Sequence, residues 1–240
     1  WLEEAGVDML HVAQANHTGN MADTIPPMGV QPYAFFADIA GKVKEQVLYD
    51  FSSLGYGVKV QQLSSDDYGV PQQRKRVFFV GVNEKKIPPN VKFEFPKAEY
   101  GDGKKAYITC KEAISDLDFV PDDVSLGENI AYKIPAQSEY QNLMRKDSDS
   151  IKNHSITIHK EQTKKIIAMV PDGGNYKDLP IELQNTRKVH IAWTRMNSEK
   201  PCFTIDTGHN HHFHYKENRV PTVRESARIQ SFPDRFEFIG

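Results

Sequence analysis

Gln72-Gln73-Arg74-Lys75-Arg76 runs directly into the apolar stretch Val77-Phe78-Phe79-Val80-Gly81. A run of that length and composition is a strand, and Arg76–Val82 is expected as a buried one. A strand alternates its side chains, so Gln72, Arg74 and Arg76 project to one face as a row of planar donors. Each guanidinium carries its N–H donors in a fixed fork that suits phosphate oxygens and a pyrimidine carbonyl. A bare triplet of this kind also fits a solvated strand edge. The fifteen-residue context Asp67–Gly81 narrows the choice.

A second stretch, Arg219-Val220-Pro221-Thr222-Val223-Arg224-Glu225-Ser226-Ala227-Arg228-Ile229-Gln230-Ser231-Phe232-Pro233-Asp234, is as informative. Thr222 with Glu225 three residues on is a capping box, so a helix starts near Val223. Pro233 is expected to stop it after about three turns. Arg224 and Arg228 lie four apart and share a face, while Val223, Ala227 and Gln230 begin another stripe.

With 240 residues, 39% hydrophobic and 26% charged, the composition is that of a somewhat polar soluble protein. No apolar run approaches membrane-spanning length, and a cytoplasmic setting is the expectation. Cys110 and Cys202 are the only cysteines, and neither sits in a Cys-x-x-Cys pair. Disulfides and zinc ribbons are therefore not expected. His209, His211, His212 and His214 lack the thiolates or helical histidine pair of a structural metal site, so no metal is expected. The formal net charge is −2, but it is unevenly spread. Residues 1–54 carry two Lys/Arg against seven Asp/Glu, whereas residues 71–111 carry ten against four. Local basic segments make the electrostatic footprint on nucleic acid, so this distribution is consistent with a double-stranded DNA partner without establishing one.

Both motif stretches resemble the DNA cytosine-5 methyltransferases: Asp67–Gly81 their Gln-x-Arg-x-Arg block with its lead-in, residues 219–234 their late block. The resemblance covers residues 48–240. It implies methyl transfer from S-adenosylmethionine to C5 of cytosine after the base is flipped from the duplex, in a restriction-modification setting. Arg76 and Arg74 would hold the flipped cytosine and adjacent phosphate, and Gln72 would orient that strand. Lys85, Lys86, Lys104, Lys105 and Arg219 would contact DNA. Thr222, Arg224, Glu225 and Arg228 would brace the recognition domain against the catalytic one. The family's glycine-rich cofactor loop, Pro-Cys, Glu-Asn-Val and final Gly-Asn motifs are not found. Cys110 follows Thr109 at a helix start, and Cys202 matches a late Lys-Pro-x-x-Thr-Ile strand. Both are expected to be packing residues, which leaves the nucleophilic cysteine absent. The chain alone is thus expected to be inactive. As an alternative, it is the recognition subunit of a split enzyme completed by a complementary methyltransferase chain.

The expected fold class is α/β. It combines part of a Rossmann-like catalytic domain (47–82), a small irregular α+β target-recognition domain (83–218) and the late helix block (219–240). A helix is expected to end at Leu54 with Gly55 as its cap, followed by a strand over 56–63 and a polar turn over 64–68. Thr109 and Glu112 should cap a helix through Leu117, and 159–170 should form another, closed by Pro171-Asp172-Gly173-Gly174. Residues 191–196 and 202–206 read as a strand pair. Residues 1–46 differ. Leu2–Ala5 reads as a helix end and Val7–Val12 as a strand. After a loop, Phe35, Phe36, Ile39, Ala40, Val43 and Val47 recur at helical spacing. This barrel-like strand–loop–helix fragment resembles part of an old yellow enzyme type flavin oxidoreductase, and flavin chemistry is the second alternative. The change near Val47 suggests two joined reading frames.

Overall fold

The computed structural model describes residues 32–88, 92–119, 129–184, 193–205 and 212–239, with side chains from residue 42 on. The expected helix end and strand before residue 13 lie outside the described residues. Two compact units result, one from the described parts of 1–63 and 75–97, the other from 64–74 and 98–240.

In the first unit, helix α1 spans Pro32–Ser53 and crosses Val47 without interruption. Its last turn closes through Leu54 N–H to the Phe51 carbonyl (3.1 Å) and Gly55 N–H to that of Ser52 (3.0 Å). Gly55 then adopts φ +88°, the left-handed cap that glycine takes without penalty. Strand β1 (Tyr56–Ser64) pairs with β2 (Lys75–Asn83) in a two-stranded sheet. Among the nine β2 residues only Gly81 is fully buried, which corrects the expectation of a buried strand. A two-stranded sheet leaves most apolar side chains half covered. Phe51 meets Tyr56 edge-on at 6.4 Å, and Tyr56 in turn crowds Gly81.

The second unit holds the core. Between the two strands the chain makes a 3₁₀ turn at Ser65–Tyr68, then lays Pro71–Arg74 against Cys202. Helix α2 (Cys110–Ile114) opens with the expected Thr109/Glu112 capping box and runs into a 3₁₀ turn ending at Leu117. Helices α3 (Glu139–Arg145) and α4 (Glu161–Met169) follow, then the short α5 (Ile181–Gln184). Strand β3 (Thr194–Arg195) pairs in parallel with β4 (His212–Phe213), while Cys202 bridges to Gln72. Among the described residues the expected pairing of 191–196 with 202–206 does not form. Cys202 exchanges hydrogen bonds with the motif segment instead, and Met196 N–H bonds the Phe213 carbonyl.

Helix α6 spans Val223–Ile229, about two turns rather than three. Pro233 does not end it. Ser231 adopts φ +63°, Ser231 N–H bonds the Arg228 carbonyl (2.9 Å) and Phe232 N–H that of Ala227 (3.0 Å). This is a Schellman closure with serine in the glycine position. One apolar cluster gathers Cys110, Ala113, Ile114, Tyr140, Met144, Met196, Cys202, Tyr215 and Ile229. A second gathers Ile167, Val170, Leu179, Trp193, Phe213 and Val220. Among the described residues no helix is long and apolar enough to cross a membrane.

Candidate functional site

The motif segment is held on the second unit by backbone bonds. Gln73 N–H donates to the Cys202 carbonyl (2.7 Å), Cys202 N–H to that of Pro71 (2.9 Å), and Thr204 Oγ1 to that of Gln73 (3.0 Å). Ser65 closes the turn: its hydroxyl bonds the Gln72 carbonyl and accepts Arg74 N–H at 3.1 Å. Gly69, at φ +81°, lets the chain reverse beneath the Tyr100 ring. Exposure then alternates: Gln72 is buried, Gln73 exposed, Arg74 half-buried, Lys75 exposed, Arg76 half-buried. That is the expected two-residue period. Gln72 Nε2 is buried without a hydrogen-bond partner, a donor whose isolation costs roughly 1–3 kcal/mol. Arg74 belongs to the second unit. Arg76 belongs to the first, where Nη1 donates to the Lys75 carbonyl at 2.7 Å.

The late block is a buried ionic lattice. Arg224, Glu225 and Arg228 are wholly buried, so the arginine face of α6 is its inner face. Arg228 donates to Asp234 through Nε and Nη2 (2.6 Å each) and to Asp116 through Nη1 (3.0 Å) and Nη2 (3.2 Å). Asp116 also binds Arg145 (2.5 Å), and Asp234 accepts the Tyr132 hydroxyl (2.6 Å). Burial works against the charge on Arg228, but the two carboxylates outweigh it and raise its pKa. Burial and the Asp234 carboxylate also push the Tyr132 phenol up to about 12. Arg224 donates to the carbonyls of Lys152, Pro233 and Phe236.

Arg219, expected to contact DNA, is instead buried and forked onto Glu225 at 2.8 and 2.7 Å. Its two terminal nitrogens donate inside the protein and its Nε is buried without a partner, so the guanidinium is not presented at the surface where a phosphate would meet it. Glu225 also caps Thr222 N–H (2.7 Å). Burial alone would raise its carboxyl, but the electrostatic attraction of His214 and the paired Arg219 guanidinium favours the anion and brings it down to about 2. Thr222 Oγ1 accepts Glu225 N–H and lies 2.9 Å from His154 Nδ1. His214 Nδ1 accepts the amides of Lys216 and Glu217, and its Nε2 lies 3.4 Å from Asp118 and 3.7 Å from Glu225.

Lys85, Lys86, Lys104 and Lys105 are all exposed, as a phosphate-binding role needs. Lys105 also pairs with Glu99 (3.1 Å) and lies 5.5 Å over the Tyr100 ring. His209 and His211 lie outside the described residues. His212 packs on Phe203 at 4.5 Å and His214 is buried. Among the described residues no group of three or more potential ligands is placed to hold a metal. Both cysteines are buried in the first apolar cluster, and burial pushes the Cys202 thiol up. They are packing residues, as expected.

Sequence reasoning missed Asp116, Arg145, His154 and Arg195. Arg195 is buried and binds the α4 carbonyl of Ile167 (2.6 Å), that of Val170 (2.7 Å) and that of His214 (3.0 Å). No spacing signal marks it, because carbonyl partners leave no trace in sequence. Asp116 follows the Thr109 capping box by one helical turn, which hinted only at a helix end. No described residue is assigned to S-adenosylmethionine, the methyl donor of the resembling family. Among the described glycines none stands in a strand-to-helix turn, where backbone amides and a helix N-terminus would receive such a ligand.

A family model for C-5 cytosine-specific DNA methylase matches residues 37–240. The type II methyltransferase M.DdeI of Desulfomicrobium norvegicum is 33% identical over 209 residues, covering 82% of this chain and 49% of that protein. M1.HphI of Haemophilus parahaemolyticus is 30% identical, covering 85% of this chain and 46% of its own. The chain spans about half the length of the curated relatives it matches. A short stretch of 54 residues is 59% identical to bilirubin reductase of Mediterraneibacter gnavus, 22% of this chain and 8% of that protein. A solved Escherichia coli structure described as a prophage-encoded DNA modification methyltransferase is 20% identical with a TM-score of 0.55. It covers 81% of this chain and 55% of that one, a likeness of fold.

Proposed function

The chain belongs to the C-5 cytosine-specific DNA methylase family, and from that premise we propose that it is the DNA-recognising portion of a type II restriction-modification cytosine-5 methyltransferase. The observation that carries the reading is the clamped Pro71–Arg74 segment with its alternating exposure, followed in the same chain by the α6 lattice. Arg74 and Arg76 are the donors for a flipped cytosine and its phosphate, and Gln72, with its unused buried amide, orients that strand. Lys85, Lys86, Lys104 and Lys105 neutralise backbone phosphates. Thr222, Arg224, Glu225 and Arg228 act inside the protein. They tie the late block to residues 113–116 and 152–153, which supports a bracing role. In this reading residues 47–82 end a catalytic domain, 83–218 recognise the target, and residues 1–36 lie outside the family match.

S-adenosylmethionine supplies the methyl group in the complete enzyme, and it is held by residues other than these. The nucleophile is likewise supplied elsewhere: a thiolate must reach cytosine C6, and both thiols of this chain are buried. A complementary methyltransferase segment, in the same polypeptide or a partner chain, completes the site. The test is transfer of a tritiated methyl group into duplex DNA, with and without a polypeptide carrying the Pro-Cys and Glu-Asn-Val motifs. The chain alone should match a no-protein blank and the pair should exceed it. Incorporation by the chain alone would overturn the reading. The flavin alternative rests on a stretch that covers 8% of bilirubin reductase, too little to bring a cofactor site.

A further inference from the structure

Within the second unit an open cleft of about 740 Å³ borders the motif segment. Gln73 lines it, and Gln73 alternates with the buried Gln72, so the cleft lies on the opposite face of this extended stretch from Gln72 and Arg74. It is thus separate from the cytosine site proposed above.

Its lining narrows what it can hold. The Tyr107 ring forms one wall, 36% exposed and fixed by its hydroxyl, which donates to Asp67 at 3.1 Å. The floor is a chain of amides and hydroxyls. Gln141 Nε2 donates to Ser115 Oγ (2.9 Å), Ser115 Oγ to Gln137 Oε1 (3.4 Å), and the Gln137 backbone N–H to Gln141 Oε1 (2.6 Å). The side chains of Gln73 and Gln137 are exposed at the opening. Charge disfavours an anion. Lys111 and Lys200 face Asp66, Glu112 and Glu199, and Lys111 already lies 3.8 Å from Glu199. Only Ala106 and Pro201 are small apolar surfaces there, too little for a hydrocarbon ligand.

An aromatic platform, amides at the rim and no excess of positive charge suit a neutral, flat heterocycle with a hydrogen-bonding edge. We propose that this cleft binds a single nucleobase, stacked on Tyr107 and contacted along its edge by the amides of Gln73 and Gln137. Stacking supplies affinity for any base, and the two amides discriminate among bases, since each offers one donor pair and one acceptor. The base comes from a free nucleoside or from an extrahelical position of a nucleic-acid strand. The proposal goes beyond the methyl-transfer reading and does not need it.

Saturation-transfer NMR on the full chain tests it, with adenosine, guanosine, cytidine and thymidine at millimolar concentration and ribose and ribose 5-phosphate as comparators. The expected result is transfer concentrated on base protons, none to either sugar, and about tenfold or greater weakening in Tyr107→Leu. Gln73→Leu, an exposed change that spares the fold, should alter the ranking of the four nucleosides. A single-stranded oligonucleotide that displaces the nucleoside identifies a strand as the source; failure to displace identifies the free nucleoside. Absence of transfer to all four nucleosides, equal transfer to ribose, or an undiminished signal in a folded Tyr107→Leu would overturn the proposal. Duplex binding is measured separately, so failure of either result leaves the other standing.

Discussion

Arg228 is the residue on which the late block turns. One guanidinium holds two carboxylates that have no exposure of their own. Removing it leaves Asp116 with Arg145 and Asp234 with the Tyr132 hydroxyl, both still buried. Arg228→Met should therefore destabilise the chain by about 3–5 kcal/mol, read as a shift in urea midpoint. A midpoint within experimental error of the parent would mean that the lattice is not carrying the fold. Acid should act on the same region. Glu225 has its pKa depressed from 4.5 to about 2, so its stabilisation is full above about 4.5 and disappears as pH falls towards 2. It is worth about 3 kcal/mol over that window. His154 adds an earlier loss: burial lowers its pKa below 6.5, so the unfolded state gains the proton first and stability starts to fall below that pH. Urea titrations from neutral to acid pH should show a decline beginning near 6.5 and steepening below 4.5. Stability flat to pH 3 would contradict both assignments. Arg224 and Arg228 were legible in sequence as one helix face, but their burial was not. A row of arginines reads as surface until the partner carboxylates are known, and Asp116 is more than a hundred residues away in the chain.

Elements were most legible where local chemistry decides them. The capping boxes at Thr109/Glu112 and Thr222/Glu225 both form, because a side chain three residues on can meet the amide it needs within one turn. Gly55 caps α1 for an equally local reason. Strand partners were not legible. Cys202 pairs with Gln72 and Thr194 with His212, and such choices depend on long-range packing that a run of apolar residues does not encode. The end of α6 failed for a subtler reason: Pro233 looked like the stop, yet a left-handed Ser231 ends the helix earlier. The turn before the motif offers a test at this scale. At Gly69, with φ +81°, an added Cβ would sit 2.7 Å from the Tyr100 ring. Gly69→Ala should cost at least about 1 kcal/mol from backbone strain alone. Tyr100→Ala in the same chain should recover the steric part and leave the backbone part. Full recovery would show that the left-handed turn carries no strain.

For the whole molecule, net charge alone gives little hint of the nucleic-acid partner proposed above. A net charge of −2 hides the basic stretch 71–111, and the structure places all eight of its lysines at the surface while drawing Arg219 inside. Family membership was legible from two motifs because both are built from short-range geometry and a fixed order. The cleft beside Gln73 was not legible, since its walls come from four separate stretches of chain. If the chain is the DNA-recognising portion of a cytosine-5 methylase, it should bind duplex DNA through phosphate neutralisation alone, in the non-specific range of about 10⁻⁴–10⁻⁶ M. Arg76→Ala should then change that affinity little, because its proposed partner is a flipped base. The most direct measurement is fluorescence anisotropy of a labelled duplex between about 50 and about 200 mM salt. The logarithm of the association constant should fall linearly with that of the salt concentration. Replacing Lys85, Lys86, Lys104 and Lys105 should make the slope shallower by about one unit for each phosphate no longer neutralised. No binding at the lowest salt, or binding indifferent to salt, would contradict the account.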